Sequence, residues 1–163
     1  MKNQQTTWKK TEEAILKEMA WLKNNIFPYQ PNKNLLDLPD NIFYRAIAIL
    51  IVSGKVKVFD YNYLNKKNNV SLLSLKYKKH GSNWHDGMIN YLSKYFLGKK
   101  FNVFKNEPKL YYGHADLKIE KNNKTSYFEI DTVNIFKLFV NLKEMKSISI
   151  VLINNNKIIK FKL

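Results

Sequence analysis

YGHADLKIEKNNKTSYFEID, from Tyr112 to Asp131, decides how this chain is read. Two short alternating segments flank a polar tip, and a strand sends alternate residues to opposite faces. In the first arm Ala115, Leu117 and Ile119 face one way, and His114, Asp116 and Lys118 the other. In the second arm Phe128 and Ile130 face the core, and Tyr127, Glu129 and Asp131 face away. With Lys121 to Lys124 as the loop, Glu120 pairs with Thr125, Lys118 lies opposite Tyr127, Asp116 opposite Glu129, and His114 opposite Asp131. A slip of two residues keeps these faces, whereas a slip of one would bury the acids.

Three carboxylates and an imidazole then crowd one patch. Like charges directly across strands are unfavourable, so the patch calls for compensation by a divalent cation, by Lys118, or by Lys137 one turn into the next helix. The grouping suits metal-assisted phosphodiester hydrolysis: hard oxygen ligands hold Mg²⁺ or Mn²⁺, the ion polarises a phosphate and activates water, and a lysine orients that water. The ordinary alternative is a solvated sheet face whose acids pair with some of the many lysines.

Working outward, the second half reads as helix, three strands, helix, two strands. NWHDGMINYLSKYFLG places Met88, Leu92 and Phe96 on one helical face, with Asn83 as cap and Gly98 as stop. KFNVFKNEP is a strand with Phe101 and Val103 on one side. NIFKLFVNLKEM carries Ile135, Leu138, Phe139 and Leu142 inward, SISIVLI is a buried strand, and KIIKFKL is a final edge strand.

The first half has a different order. Thr11 caps a helix to Asn25 whose stripe is Ile15, Met19, Leu22 and Ile26; NLLDL forms a short turn; a long apolar helix runs from Asp40 to the stop at Gly54. KVKVFDY alternates as a strand with Val56 and Val58 inward, and VSLLSLKYK supplies a second strand. Helix, short helix, helix, two-stranded ribbon is the order of a winged helix-turn-helix. Its candidate DNA contacts are Arg45, Tyr44 and Asn41 on the recognition helix and Lys66 and Lys67 in the wing. The alternative is a structural cap that packs on the second half. The polar stretch KKHGSN, which contains His80, marks a boundary, giving a module over 1–79 docked on a domain over 80–163. The expected class is thus α/β (α+β).

Twenty-eight Lys and Arg against thirteen Asp and Glu give the 163-residue chain a charge of +15, with an isoelectric point near 9.8. Such a field attracts polyanions, most often nucleic acid; heavy Lys and Asn usage from AT-rich coding is the alternative source. The absence of cysteine excludes disulfides and thiolate metal sites and fits a cytoplasmic protein. Met1 to Lys10 is polar, with no signal-peptide core behind it, and the longest apolar run, Ala46 to Val52, is too short to span a bilayer, so no membrane partner is expected. Five glycines make no P-loop or dinucleotide fingerprint, and no Gly-x-Ser-x-Gly elbow occurs.

The segments ADLKI and YFEID, between a helix before and a helix and strand after, resemble the PD-(D/E)xK nuclease superfamily over about half the chain, Ser82 to Leu163. The resemblance implies a restriction-endonuclease-like αβββαββ domain. Asp116 stands at the family's first acidic position and Glu129 at the acid of its acid-x-Lys triplet; Asp131 stands where the lysine is usual. The resemblance therefore implies that Asp116, Glu129 and Asp131 hold the metal and that Lys137 or Lys118 acts on the attacking water. It also implies an additional acid, for which Asp86 near the start of the first helix and Glu107 before the hairpin are candidates; a helix-dipole role for Asp86 and plain solvation for Glu107 are the alternatives. WHDGMINYLSKYF, NEPKLYYGHADLKI and YFEIDTVNIFKLFVNL more narrowly resemble plasmid replication-relaxation type proteins. The implied function is DNA binding with metal-dependent cleavage or nicking for a plasmid, virus or transposon, for which a homodimer is a natural form when both strands are cut. The rival is a non-catalytic DNA-binding replication accessory or transcriptional regulator with a degenerate nuclease fold.

Overall fold

A computed structural model of the chain describes residues 2–26, 40–62, 83–154 and 157–163. The fold is mixed α/β, with four described helices and a six-stranded mixed sheet. In chain order these are α1 (Lys2–Asn25), α2 (Asp40–Val52), β1 (Lys57–Asn62), α3 (Asn83–Gly98), β2 (Asn102–Phe104), β3 (Leu117–Lys121), β4 (Lys124–Ile130), α4 (Ile135–Glu144), β5 (Ile148–Ile153) and β6 (Lys157–Lys162).

The sheet runs β1-β6-β5-β4-β3-β2. Neighbours are antiparallel except β4 and β5, which are parallel and joined by the α4 crossover. A parallel pair needs such a crossover, and the helix it contains covers the sheet. Both faces are covered, and β5 shows it most clearly: Ile150 and Leu152 join the α1, α2 and α4 side, while Val151 and Ile153 join the α3 side. A strand buried on both faces reads as an unbroken apolar run, which is why ISIVLI has no polar alternation beyond Ser149.

The first core cluster joins Ile15, Leu22 and Ile26 of α1, Phe43 and Ile47 of α2, Leu138 of α4, and Ile159 and Phe161 of β6. Residues from either side of position 80 thus share one sheet and one core. β1, expected as a wing strand, pairs with β6 over six positions, from Lys57 opposite Lys162 to Asn62 opposite Lys157. β6 is therefore an inner strand and not the sheet edge. The second ribbon strand, Lys66, Lys67, the NLLDL turn and His80 lie outside the described residues, and the side chain of Asn83 is not described.

α1 starts well before Thr11, so Thr11 is not its cap; its hydroxyl donates to the Thr7 carbonyl at 3.0 Å. Tyr44 is buried at 4% exposure and cannot read DNA from that position. Arg45 is committed to Glu12 through two parallel bonds of 2.9 Å each, a fork geometry that fixes α2 against α1. Asn41 is exposed. Among the described residues no helix is long and apolar enough to cross a membrane.

The hairpin has the expected register, with Lys118 opposite Tyr127 and Glu120 opposite Thr125. Its ladder extends one pair further, to Lys121 and Lys124, leaving Asn122 and Asn123 as the turn with φ of 51° and 59°. Two positive φ values make the type I′ geometry that matches strand twist, and asparagine tolerates it. Leu138→Ala, at 1% exposure between the sheet and α2, is expected to cost about 2–5 kcal/mol in a denaturant melt.

Candidate active site

Glu129 lies near the C-terminal end of β4 and is 7% exposed. Burial pushes its carboxyl up to about 7, and the neighbouring Asp116 charge adds to the rise, while Lys137 and His85 oppose it. Lys137 Nζ stands 2.6 Å from Glu129 Oε1 and donates to the His114 carbonyl at 2.5 Å. Local structure explains how Lys137 arrives. Asn134 caps α4, its side chain accepting from the Phe136 and Lys137 amides at 2.9 and 3.3 Å. Lys137 therefore sits in the first helical turn, where the dipole disfavours a cation; Glu129 and the His114 carbonyl offset this by accepting from its ammonium.

Asp116 lies just before β3. Its amide donates to the Phe128 carbonyl at 3.0 Å, and its Oδ2 accepts from the Ile130 amide at 2.7 Å. Its other oxygen, Oδ1, is 3.2 Å from His85 Nε2 on α3. Asp86 is 81% exposed at its side chain and reaches the cluster only through His85, whose Nδ1 is 3.5 Å from Asp86 Oδ1. The structure thus gathers Asp116, Glu129, Lys137 and His85 where the hairpin, α3 and the start of α4 meet.

Other expected members stand elsewhere. Lys118 is 2.5 Å from Glu120 and lies over the rings of Phe104 and Tyr127, at 4.9 and 5.8 Å from their centroids. Its charge is spent on these partners, so Lys137 is the lysine at the acidic pair. Glu107 is exposed in a left-handed turn (φ 44°) beyond β2. His114 does not lie opposite Asp131; it bridges Lys109, and its side chain is exposed. Ala115 does not share the Leu117 face but packs with Leu110 and Tyr127, because strand alternation begins only at Leu117. Asp131 leaves the strand with φ 79° as its amide bonds the Ile153 carbonyl at 2.6 Å. It lines, with Glu129, Asn25, Thr132 and Asn154, a cavity of about 10 Å³, room for about one water.

Two contributors were not anticipated. His85 is not among the residues the sequence singles out, although it is the side chain that meets Asp116. Asn141, 1% exposed, clamps the loop before the hairpin: Oδ1 accepts from the Tyr112 amide at 2.8 Å, and Nδ2 donates to the carbonyls of Tyr112 at 3.0 Å and Lys137 at 2.9 Å. A polar residue within the apolar Leu138–Leu142 face of α4 was the available signal. Gly113 completes the clamp with φ 75°; a Cβ there would stand 3.3 Å from Lys137 Cε. Gly113→Ala is therefore expected to strain the loop and displace Lys137, costing about 1–2 kcal/mol in a thermal melt.

Among the described residues no group of three or more His, Cys, Asp or Glu side chains forms a metal-holding arrangement. Mg²⁺ often takes only one or two protein carboxylates and keeps several waters. The Asp116–Glu129 pair offers that number of carboxylates, and Asp116 raises the Glu129 carboxyl, a like-charge repulsion that a cation between them would relieve. The donor set therefore fits the ion. No family model, curated protein or solved structure matches the chain.

Proposed function

We propose that the protein binds DNA and cleaves or nicks its phosphodiester backbone with Mg²⁺ or Mn²⁺, through a PD-(D/E)xK-like domain formed by the chain from α3 onward, in the service of a mobile element. The observation that carries this reading is the pair that buried Glu129 makes with half-buried Lys137 beside Asp116 at one end of the hairpin. The ion, held by Asp116 and Glu129, would polarise the phosphate and lower the pKa of the attacking water. Lys137 uses two of its three N–H donors on Glu129 and the His114 carbonyl. The third can orient the water or meet charge developing on a phosphate oxygen. His85 and the Ile130 amide fix the Asp116 carboxylate from two sides, so His85 is a positioning residue. The charge of +15 supports attraction of the nucleic-acid backbone.

One observation favours a non-catalytic DNA-binding protein: Asp131, at the usual lysine position, has left the strand in a left-handed conformation. A plasmid-nicking assay with either metal separates the two readings. Nicking by wild type that is lost in Glu129→Ala supports cleavage. Binding that weakens steeply with salt, with no nicking over several substrates and both metals, supports the rival.

A further inference from the structure

The loop between β2 and β3 presents two consecutive tyrosines to water, 63% exposed for Tyr111 and 46% for Tyr112. The backbone that presents them is anchored. Lys109 and His114 bridge the base of the turn, the Leu110 amide bonds the Gly113 carbonyl at 2.9 Å, and Leu110 itself is buried against Ala115 and Tyr127. Tyr112 is held by Asn141 at both its amide and its carbonyl, and its ring meets Phe136 edge-on at 5.3 Å. The same turn abuts Lys137 through Gly113 and the His114 carbonyl. A tight turn is usually tipped by small polar residues; this one carries two large exposed rings on an anchored backbone, next to the Gly113 that abuts the lysine of the acidic pair.

The geometry points to an unpaired DNA strand as the ligand of this site, with its bases stacking on Tyr111 and Tyr112 while its backbone passes Lys137. This rests on the proposed function and narrows its substrate. An exposed ring on an anchored backbone gives an unstacked base a π-face at little ordering cost, and every base can use it. In an intact duplex the base faces are already covered by their neighbours, so the rings offer it far less.

The test is fluorescence anisotropy in EDTA with a labelled oligothymidylate and a blunt-ended duplex of equal nucleotide count. Wild type, Tyr111→Ala and Tyr111→Phe are compared; Tyr111 is exposed, and its truncation leaves the core intact. Tyr111→Ala is expected to weaken oligothymidylate binding about tenfold, with duplex binding changed less than about twofold and Tyr111→Phe close to wild type. Equal losses on both probes, or no loss on either, would overturn the inference. Metal-dependent plasmid nicking that persists in the latter case would leave the nuclease reading standing while the unpaired-strand inference falls. Absence of binding to both probes at low salt would remove both.

Discussion

Glu129→Gln is expected to abolish metal-dependent nicking and, at the same time, to make the protein more stable above pH 7. The first effect follows from the loss of a charged oxygen donor beside Asp116 and Lys137 and should exceed about 100-fold. The second follows from where the carboxyl sits. Burial raises it from an ordinary 4.5 to about 7, so the native protein holds a proton that the unfolded chain releases. The contribution to stability is then full below about pH 4.5, falls as pH rises towards 7, and is gone above it. The size is on the order of 3 kcal/mol. Glutamine keeps the shape and can still accept from Lys137 but never ionises, so the variant should gain about 1–3 kcal/mol at pH 8. Thermal melts at pH 5 and pH 8 check this. The wild-type melting temperature should drop more between the two than that of the variant, and matching pH dependence would mean that Glu129 is not the buried ionisable group. Greater stability with lost activity is what a functional group held at a cost produces.

Asn141→Leu should give the other large effect. The side chain sits at 1% exposure and makes three bonds, two to Tyr112 and one to the Lys137 carbonyl. Leucine has similar volume but leaves the Tyr112 amide and carbonyl without their partner, at a cost of about 2–4 kcal/mol. For a chain of this size the melting temperature should fall by about 5–10 °C. The loop bearing Tyr111, Tyr112 and His114 would lose its anchor to α4, so nicking should fall about tenfold or more, a loss that Asn141→Asp would not restore because a carboxylate cannot donate to the two carbonyls. Unchanged stability in Asn141→Leu would show that the loop is held by other contacts.

Local features of this fold were legible. The hairpin register follows from a short polar tip and from apolar residues at every second position, since any odd slip would bury Glu129's neighbours on the wrong face. The inward faces of α3 and α4 follow from helical spacing, and ISIVLI announces a strand covered on both sides. Asp116 and Glu129 were placed by the same alternation. Misplacements fall where alternation stops: Ala115 precedes the first regular residue of β3, and Asp131 follows the last of β4 with positive φ. Backbone conformation at strand ends depends on what the next segment bonds to, here the Ile153 carbonyl for Asp131.

The sequence by itself therefore determined the types of the described elements, the inward faces of α3 and α4 and the meeting of two acids across one hairpin, because all of these arise from periods of a few residues. Tertiary structure alone decided that β1 completes the sheet beside β6, since ladder bonds join backbone groups common to every residue and a pattern specifies a face without naming a partner. It alone chose Lys137 over Lys118, brought His85 from α3 to Asp116, buried Tyr44 and paired Arg45 with Glu12. Those outcomes depend on which distant charge or cavity each side chain meets, and only the packed sheet and its helices set those distances.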